Sequence, residues 1–242
     1  MLVFAGASTS CRKKTEKATG SGKVTVSFLN TAAGDTLRYG SKWYVNQHGD
    51  SFIVNKFSYY ITNIRLNKPD GTVAYAEKHS YHLLDMAAYH AFGLDSVPAG
   101  QYGSITFLLG VDSLHNVTGD QDGVLNPGYG MFKDWGIGYI MWKFEGTSPK
   151  SPQLGGKVIY HGQGYSGSNN VLRTITLPFP NYAALNSTVD IRINIGVDLP
   201  QLFASPNTAN FATTNAVMEP SPEANKLADN FVRAFTLRHV GK

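Results

Sequence analysis

Seven histidines, a cluster of oxygen acceptors in one long loop, a methionine and a tryptophan beside that loop, and a single cysteine are the side chains that could do chemistry. The loop falls between Gly110 and Gly146, offering Asp112, Asn116, Asp120, Asp122 and Asn126 before an aromatic stretch with Met131, Trp135 and Tyr139. Long loops inside compact domains tend to be functional, and an acceptor-dense loop followed by an aromatic-rich segment suggests one pinned at its two ends; the plain alternative is a well-packed surface excursion. Asp120-Gln121-Asp122-Gly123 is an ordinary turn sequence, and with Asn126 it could instead hold calcium, which takes several oxygens. His79 and His82 flank Tyr81; three apart on a strand they point to opposite faces and do not easily share an ion. His161 closes the run Lys157-Val-Ile-Tyr-His161 beside a glycine-rich loop, where it can reach a pocket at a sheet rim. Spacing alone does not make this a metal protein, and Trp135 and Tyr139 fit a core equally well.

No serine-nucleophile elbow, zinc-protease helix, phosphate loop or dinucleotide fingerprint occurs, so no catalytic residue is assigned and a non-enzymatic role is expected. Charged residues make up only 16% of the chain, which disfavours disorder and favours a turn-rich β protein. The net charge of +4 arises largely from Arg12, Lys13, Lys14 and Lys17, with no basic stripe behind them, so nucleic acid is not an expected partner.

The start of the chain has a different character. Met1 to Ala7 is apolar, small residues follow, then Cys11, then Arg-Lys-Lys-Thr-Glu-Lys. That order resembles the end of a bacterial lipoprotein signal with Cys11 as lipid acceptor, although Ser8-Thr9-Ser10 departs from the usual cleavage motif. Residues 1–22 are therefore read as signal remnant and flexible tether, and 23–242 as one domain.

The elements that must position these residues are strands. Alternating runs are expected over 23–30, 37–45, 52–54, 56–66, 72–76, 81–85, 101–111, 139–144, 157–161, 171–177 and 188–197, with turn signals between them. One helix is expected near the end: Ser221 caps, Pro222 opens, and Leu227, Ala228, Phe231, Ala234 and Phe235 make its apolar stripe. The expected fold class is all-β, an immunoglobulin-like or Greek-key β-sandwich with long loops and one C-terminal helix.

One ordered set of motifs is more specific. Gly110-Val111-Asp112, Asn116, Leu125-Asn126-Pro127, Gly130-Met131, Trp135, Gly138-Tyr139, Lys143 and Glu145-Gly146 resemble the MbnP-like family of methanobactin-associated periplasmic copper-binding proteins and related lipoproteins. Leu83-Leu84-Asp85, Tyr160-His161-Gly162 and Ala228-Asp229-Asn230-Phe231 extend the resemblance over about residues 23–240. It implies a β-sandwich outside the cytoplasm, at the periplasm or outer-membrane surface. It also implies copper bound through histidines and a tryptophan oxidised by a dihaem peroxidase-type partner, with an outer-membrane transporter as a further partner. The chain departs from the copper branch in lacking its extra cysteines and in having Phe132 and Lys133 where paired tryptophans are expected. On this reading the metal ligands are His161 first, then His115 and His82, with Met131 as a soft neighbour. Trp135 is the modifiable tryptophan, and Asp112, Asn116, Asn126 and Tyr139 frame the loop. The alternative is a metal-free surface module that recognises a glycan or a protein through the aromatic loop.

Overall fold

The structure, a computed structural model, describes residues 20–117 and 122–242. Cys11, the leader before Gly20 and loop residue Asp120 lie outside the described residues. In chain order the first strands are β1 (Ser21–Ala32), β2 (Asp35–Thr36), β3 (Trp43–Val45), β4 (Ser51–Asn67), β5 (Val73–Ala76), β6 (Tyr81–Asp85), β7 (Tyr89–Pro98) and β8 (Gly100–Leu109). A four-residue helix, α1 (Ser113–Asn116), follows. Then come β9 (Phe132–Asp134), β10 (Gly138–Thr147), β11 (Lys157–Gln163), β12 (Arg173–Leu185), β13 (Ile191–Asp198), β14 (Ala216–Val217), helix α2 (Pro222–Val232) and β15 (Phe235–Gly241).

These strands form an all-β sandwich with one C-terminal helix. The smaller sheet runs β15-β13-β1-β7, with β2 on the end of β1. The larger runs β12-β8-β4-β10-β11-β14, with β3, β5 and β6 also laid along β4. Val24, Val26 and Phe28 alternate inward from β1 and are buried, the period-2 pattern expected of a half-buried strand. Phe28 meets Phe107 of β8 and Phe235 of β15 edge-to-face, which ties the two sheets together. Most pairs are antiparallel, but β1 lies parallel to β13, Val24 beside Ile191 through Thr31 beside Asp198.

Strand β4 organises the larger sheet. Ser58 has Asp85 of β6 on one side and Lys143 of β10 on the other, whereas Ile61 has His82 on one side and Leu109 of β8 on the other. One flank of β4 is thus β10 handing over to β8, and the loop between residues 110 and 138 leaves and re-enters the sheet at that junction. Gly110 is fixed there by its N–H to the Tyr60 carbonyl (2.9 Å) and by the Thr62 hydroxyl on its own carbonyl (2.8 Å).

Helix α2 forms as expected. The Ser221 hydroxyl accepts from Ala224 N–H at 3.2 Å, Pro222 opens the first turn and Glu223 faces the positive end of the helix dipole. It plugs the sandwich, with Phe231 packed on Phe57, Tyr59 and Trp142 of the larger sheet and on Phe235 of β15. The apolar stripe was expected to continue in the helix through Phe235. Instead the helix ends at Val232 and Phe235 begins β15, because pairing with Val197 places its ring between the sheets. Two expected strands, 52–54 and 56–66, are one continuous strand, and 37–45 shrinks to β3 with an isolated bridge at Tyr39.

Candidate metal centre in the loop cleft

Alternation along the larger sheet decides which histidines can meet. Tyr59 and Ile61 face inward, as do Leu84 and His82; His82 stacks flat on Phe92 of β7 with ring centroids 3.6 Å apart and holds Glu77 Oε2 at 2.9 Å. Tyr60, Thr62, Tyr81, Asp85, Lys143 and His161 therefore occupy the outer face. His82 is separated from His115 and His161 by the sheet itself.

His115 and His161 share a face but not a place. His161 lies in the cross-strand row Asp85–Ser58–Lys143–His161, and Tyr81, which touches His115, lies opposite Thr62 four positions along β4. Three strand spacings of about 4.8 Å across and about 13 Å along put His161 about 20 Å from Tyr81. Nor is the His161 site cation-friendly. Burial pushes its imidazole below the ordinary value against the pull of Glu145 Oε1 at 2.9 Å, and Lys143 and Lys133 push the same way as burial. Met131 is 1% exposed beneath the loop. The expected set of His161, His115, His82 and Met131 is thus not one site. Among the described residues, no three His, Cys, Asp or Glu groups are already drawn together as a metal cage.

The loop between 110 and 138 is pinned at both ends, as its acceptors suggested, and Asn116 is the pin. Its Oδ1 accepts from Tyr139 N–H at 2.8 Å and its Nδ2 donates to the Ile137 carbonyl at 3.0 Å. Gly138 makes the closure feasible: at φ +85° an added Cβ would lie 2.2 Å from Asn116 Nδ2. Between these ends the loop folds over the outer face as a lid with a small core of its own. Phe132 packs edge-on against Tyr139, and Tyr139 against Tyr60. The sheet also donates upward to lid carbonyls: Tyr60 to Val124 (3.0 Å), Tyr139 to Leu125, Ile140 N–H to Met131 (2.8 Å) and Lys143 to Gly130 (2.6 Å). Lys143 is 6% exposed, and among the described residues no carboxylate comes within ion-pair distance of it. Burial, with Lys56 adding repulsion, holds its ammonium pKa below the ordinary lysine range. Asn126 Oδ1 caps Gly128 N–H at 2.8 Å, so its role is to shape the turn. Tyr139 is core, whereas Trp135 is 62% exposed and rests edge-on against Phe132, at the surface and open to another molecule.

Beside the lid lies a cleft of about 360 Å³ lined by His79, Tyr81, His115, Asp122, Gly123, Val124 and Leu125. Its best-organised group is a three-residue network. Tyr81 O–H donates to Asp112 Oδ2 at 2.5 Å, and His115 Nδ1 lies 3.0 Å from Asp112 Oδ1 and 2.5 Å from the Tyr81 oxygen. Burial alone would raise the Asp112 carboxyl; donation from Tyr81 and His115 outweighs it and holds the pKa below the usual range. An ionised Asp112 can only accept, so the Nδ1 that faces it carries a proton. A carboxylate that fixes the tautomer and tilt of a histidine is the usual outer shell of a metal-binding imidazole. Tyr81 stays protonated, because burial and Asp112 both raise it.

A family model named MbnP matches residues 21–219. The chain belongs to the MbnP family. Among solved structures, MbnP from Methylosinus trichosporium is similar at a TM-score of 0.52 and 15% identity, covering 78% of this chain and 79% of that one. At that identity the likeness speaks for the fold. No curated protein matches the sequence. For this family member the cleft adds His79, Tyr81 and Asp122 to His115. The Tyr81–Asp112 contact joins residues 31 apart in sequence, a long-range pairing that no local pattern signals.

Proposed function

We propose that this MbnP-family chain is an extracytoplasmic, lipid-anchored protein of the periplasm or outer-membrane surface that binds copper for acquisition or handling and turns over no substrate. The observation that carries the reading is His115, oriented by Asp112 and Tyr81 at a cleft that also takes in His79 and Asp122. Imidazole is a good copper ligand and copper heads the divalent affinity series. Family membership supports the same metal. Exposed Trp135, on the neighbouring lid, is the residue a dihaem peroxidase-type partner would reach, and Cys11 would supply the lipid anchor. An outer-membrane transporter would take the cargo onward.

The test is the metal content and intact mass of full-length protein purified from its envelope, with His115→Ala and His161→Ala beside it. Stoichiometric copper that is lost in His115→Ala and kept in His161→Ala is expected. Metal-free protein with no micromolar uptake (about 8 kcal/mol of binding) would reduce the family link to the fold. A second reading has its own observation: Tyr129, Trp135, Leu114 and Val117, all on or beside the lid, are exposed. They would then form a platform for a glycan or a protein, and binding there would survive His115→Ala. Asp122 also faces the cleft, so calcium uptake is checked in the same samples.

A further inference from the structure

Trp43 is 53% exposed although it lies in a strand. Alternation puts it outside: its neighbour Tyr44 is buried against Phe52, so Trp43 points away from the core on the outer face of the larger sheet. The register of the strands beside it sets one row across that face. Trp43 of β3 lies opposite Ile53 of β4, Ile53 opposite Thr147 of β10, and Thr147 opposite Lys157 of β11. Three strand spacings of about 4.8 Å make the row about 14 Å long. It lies roughly 30 Å along β4 from Thr62, opposite which the Tyr81 of the cleft sits, so it is a separate place from the copper site.

The sheet is bulged at the middle of the row. Strand β4 carries Asn55 as an extra residue between Val54, opposite Gly146, and Lys56, opposite Glu145. Asn55 is exposed there, and its Nδ2 donates to Thr147 Oγ1 at 2.9 Å. The Asn55 carbonyl oxygen and the Thr147 hydroxyl proton make no other bond among the described residues, so both stay open to a ligand. Charge is one-sided. Among the described residues no carboxylate comes within ion-pair distance of Lys157 at the end of the row or of Lys56 beside it, and Glu145, opposite Lys56, is held by His161 at 2.9 Å.

An indole face, then an amide and a hydroxyl, then an ammonium follow one another across the strands. We infer that this row binds a uronic-acid oligosaccharide. The C–H face of one sugar ring stacks on Trp43, ring hydroxyls bond to Asn55 and Thr147, and the carboxylate of a further unit meets Lys157. The negative face of an aromatic ring attracts the polarised C–H groups of a sugar. A phospholipid surface would use the indole and the ammonium but not the ordered amide–hydroxyl pair between them.

The experiment titrates the full chain with oligogalacturonate and oligoguluronate, with methyl-esterified oligogalacturonate as the uncharged counterpart, and with vesicles of phosphatidylglycerol. Trp43→Ala, Lys157→Gln and, as a control on the lid, Trp135→Phe are run beside wild type, and the melting temperature of each confirms folding. The expected result is calorimetric uptake of at least one uronate, weakened about tenfold in Trp43→Ala, the scale of a lost aromatic contact. Lys157→Gln and esterification each weaken it about threefold, the scale of an exposed ion pair. In Lys157→Gln the acid and the ester then bind alike, and Trp135→Phe binds as wild type does. Any of four results overturns the inference: no uptake of either uronate, uptake indifferent to Trp43→Ala, a loss in Trp135→Phe as large as in Trp43→Ala, or binding to the vesicles and not to the sugars.

Discussion

Replacing Asn116 by alanine tests the closure of the loop directly. The side chain satisfies two backbone groups 21 and 23 residues away, the Ile137 carbonyl and the Tyr139 N–H, and is itself 1% exposed. Tyr139 N–H is wholly buried, so its loss of a partner costs about 1–3 kcal/mol; Ile137 is half-buried and water can replace part of its bond, leaving about 1 kcal/mol there. The sum is roughly 2–4 kcal/mol. With a urea slope near the upper end of the usual range, about 3 kcal/mol per molar, the midpoint falls by roughly 1 M. Urea unfolding followed by near-ultraviolet signal measures the shift, and amide exchange at Tyr139 shows whether the lid end opens first. A midpoint moved by less than about 0.2 M, with Tyr139 exchange unchanged, would refute the account of Asn116 as the pin.

Gly138→Ala attacks the same junction from the other strand; a strained backbone plus a 2.2 Å approach to Asn116 predicts a loss at least as large, read in the same unfolding assay. Lys143→Met removes a buried ammonium that has a carbonyl partner but no carboxylate, so thermal unfolding at neutral pH is expected to be unchanged or slightly higher. The sign of its pH dependence follows from the lowered folded pKa. Below that pKa both states are protonated and the desolvation penalty stands; as pH rises toward the ordinary lysine value near 10.4 the penalty is relieved, so wild-type stability gains relative to the variant. Unfolding midpoints of the pair at pH 7 and pH 10 check this, and a parallel pH course would contradict it. Tyr81→Phe leaves Asp112 without its phenolic donor and should weaken copper about tenfold by competition titration while barely moving the melting temperature. Trp135→Phe, at an exposed tip, should change stability by less than about 0.5 kcal/mol in the urea assay.

Much of the fold was legible because its residues alternate where a single face is buried. Strand β6 appeared with its observed bounds, and the cap of α2 was written in Ser221-Pro222-Glu223. Strand β7 escaped because it is a half-exposed edge, with Gly93 and Ser96 interrupting its apolar positions. Strand β15 was hidden by Phe235, which fits a helix stripe locally and a strand only once β13 is beside it. The site was less legible for a related reason. A histidine's usefulness depends on which face of which strand it occupies: His82, His115 and His161 are alike in sequence, but the sheet separates His82 from the others and His161 lies about 20 Å from the Tyr81 that touches His115. The loop acceptors could be recognised as anchors because Asn116 closes the same loop it lies in; the pairing of Asp112 with Tyr81 required the register of β6 against β4.

The parallel seat of β1 against β13 bears on when this chain can become a protein at all. The first described strand lies between β7, which is available early, and a strand that begins at Ile191. Its inner row of Val24, Val26 and Phe28 has one neighbouring strand, and no complete sheet, until most of the chain is present. Pairings of such long sequence separation form slowly and late. A chain released short of β13 would expose that apolar row and be a target for proteolysis. A chain threaded across a membrane from its N-terminus would stay unfolded through most of its passage, without a bound partner needed to keep it so.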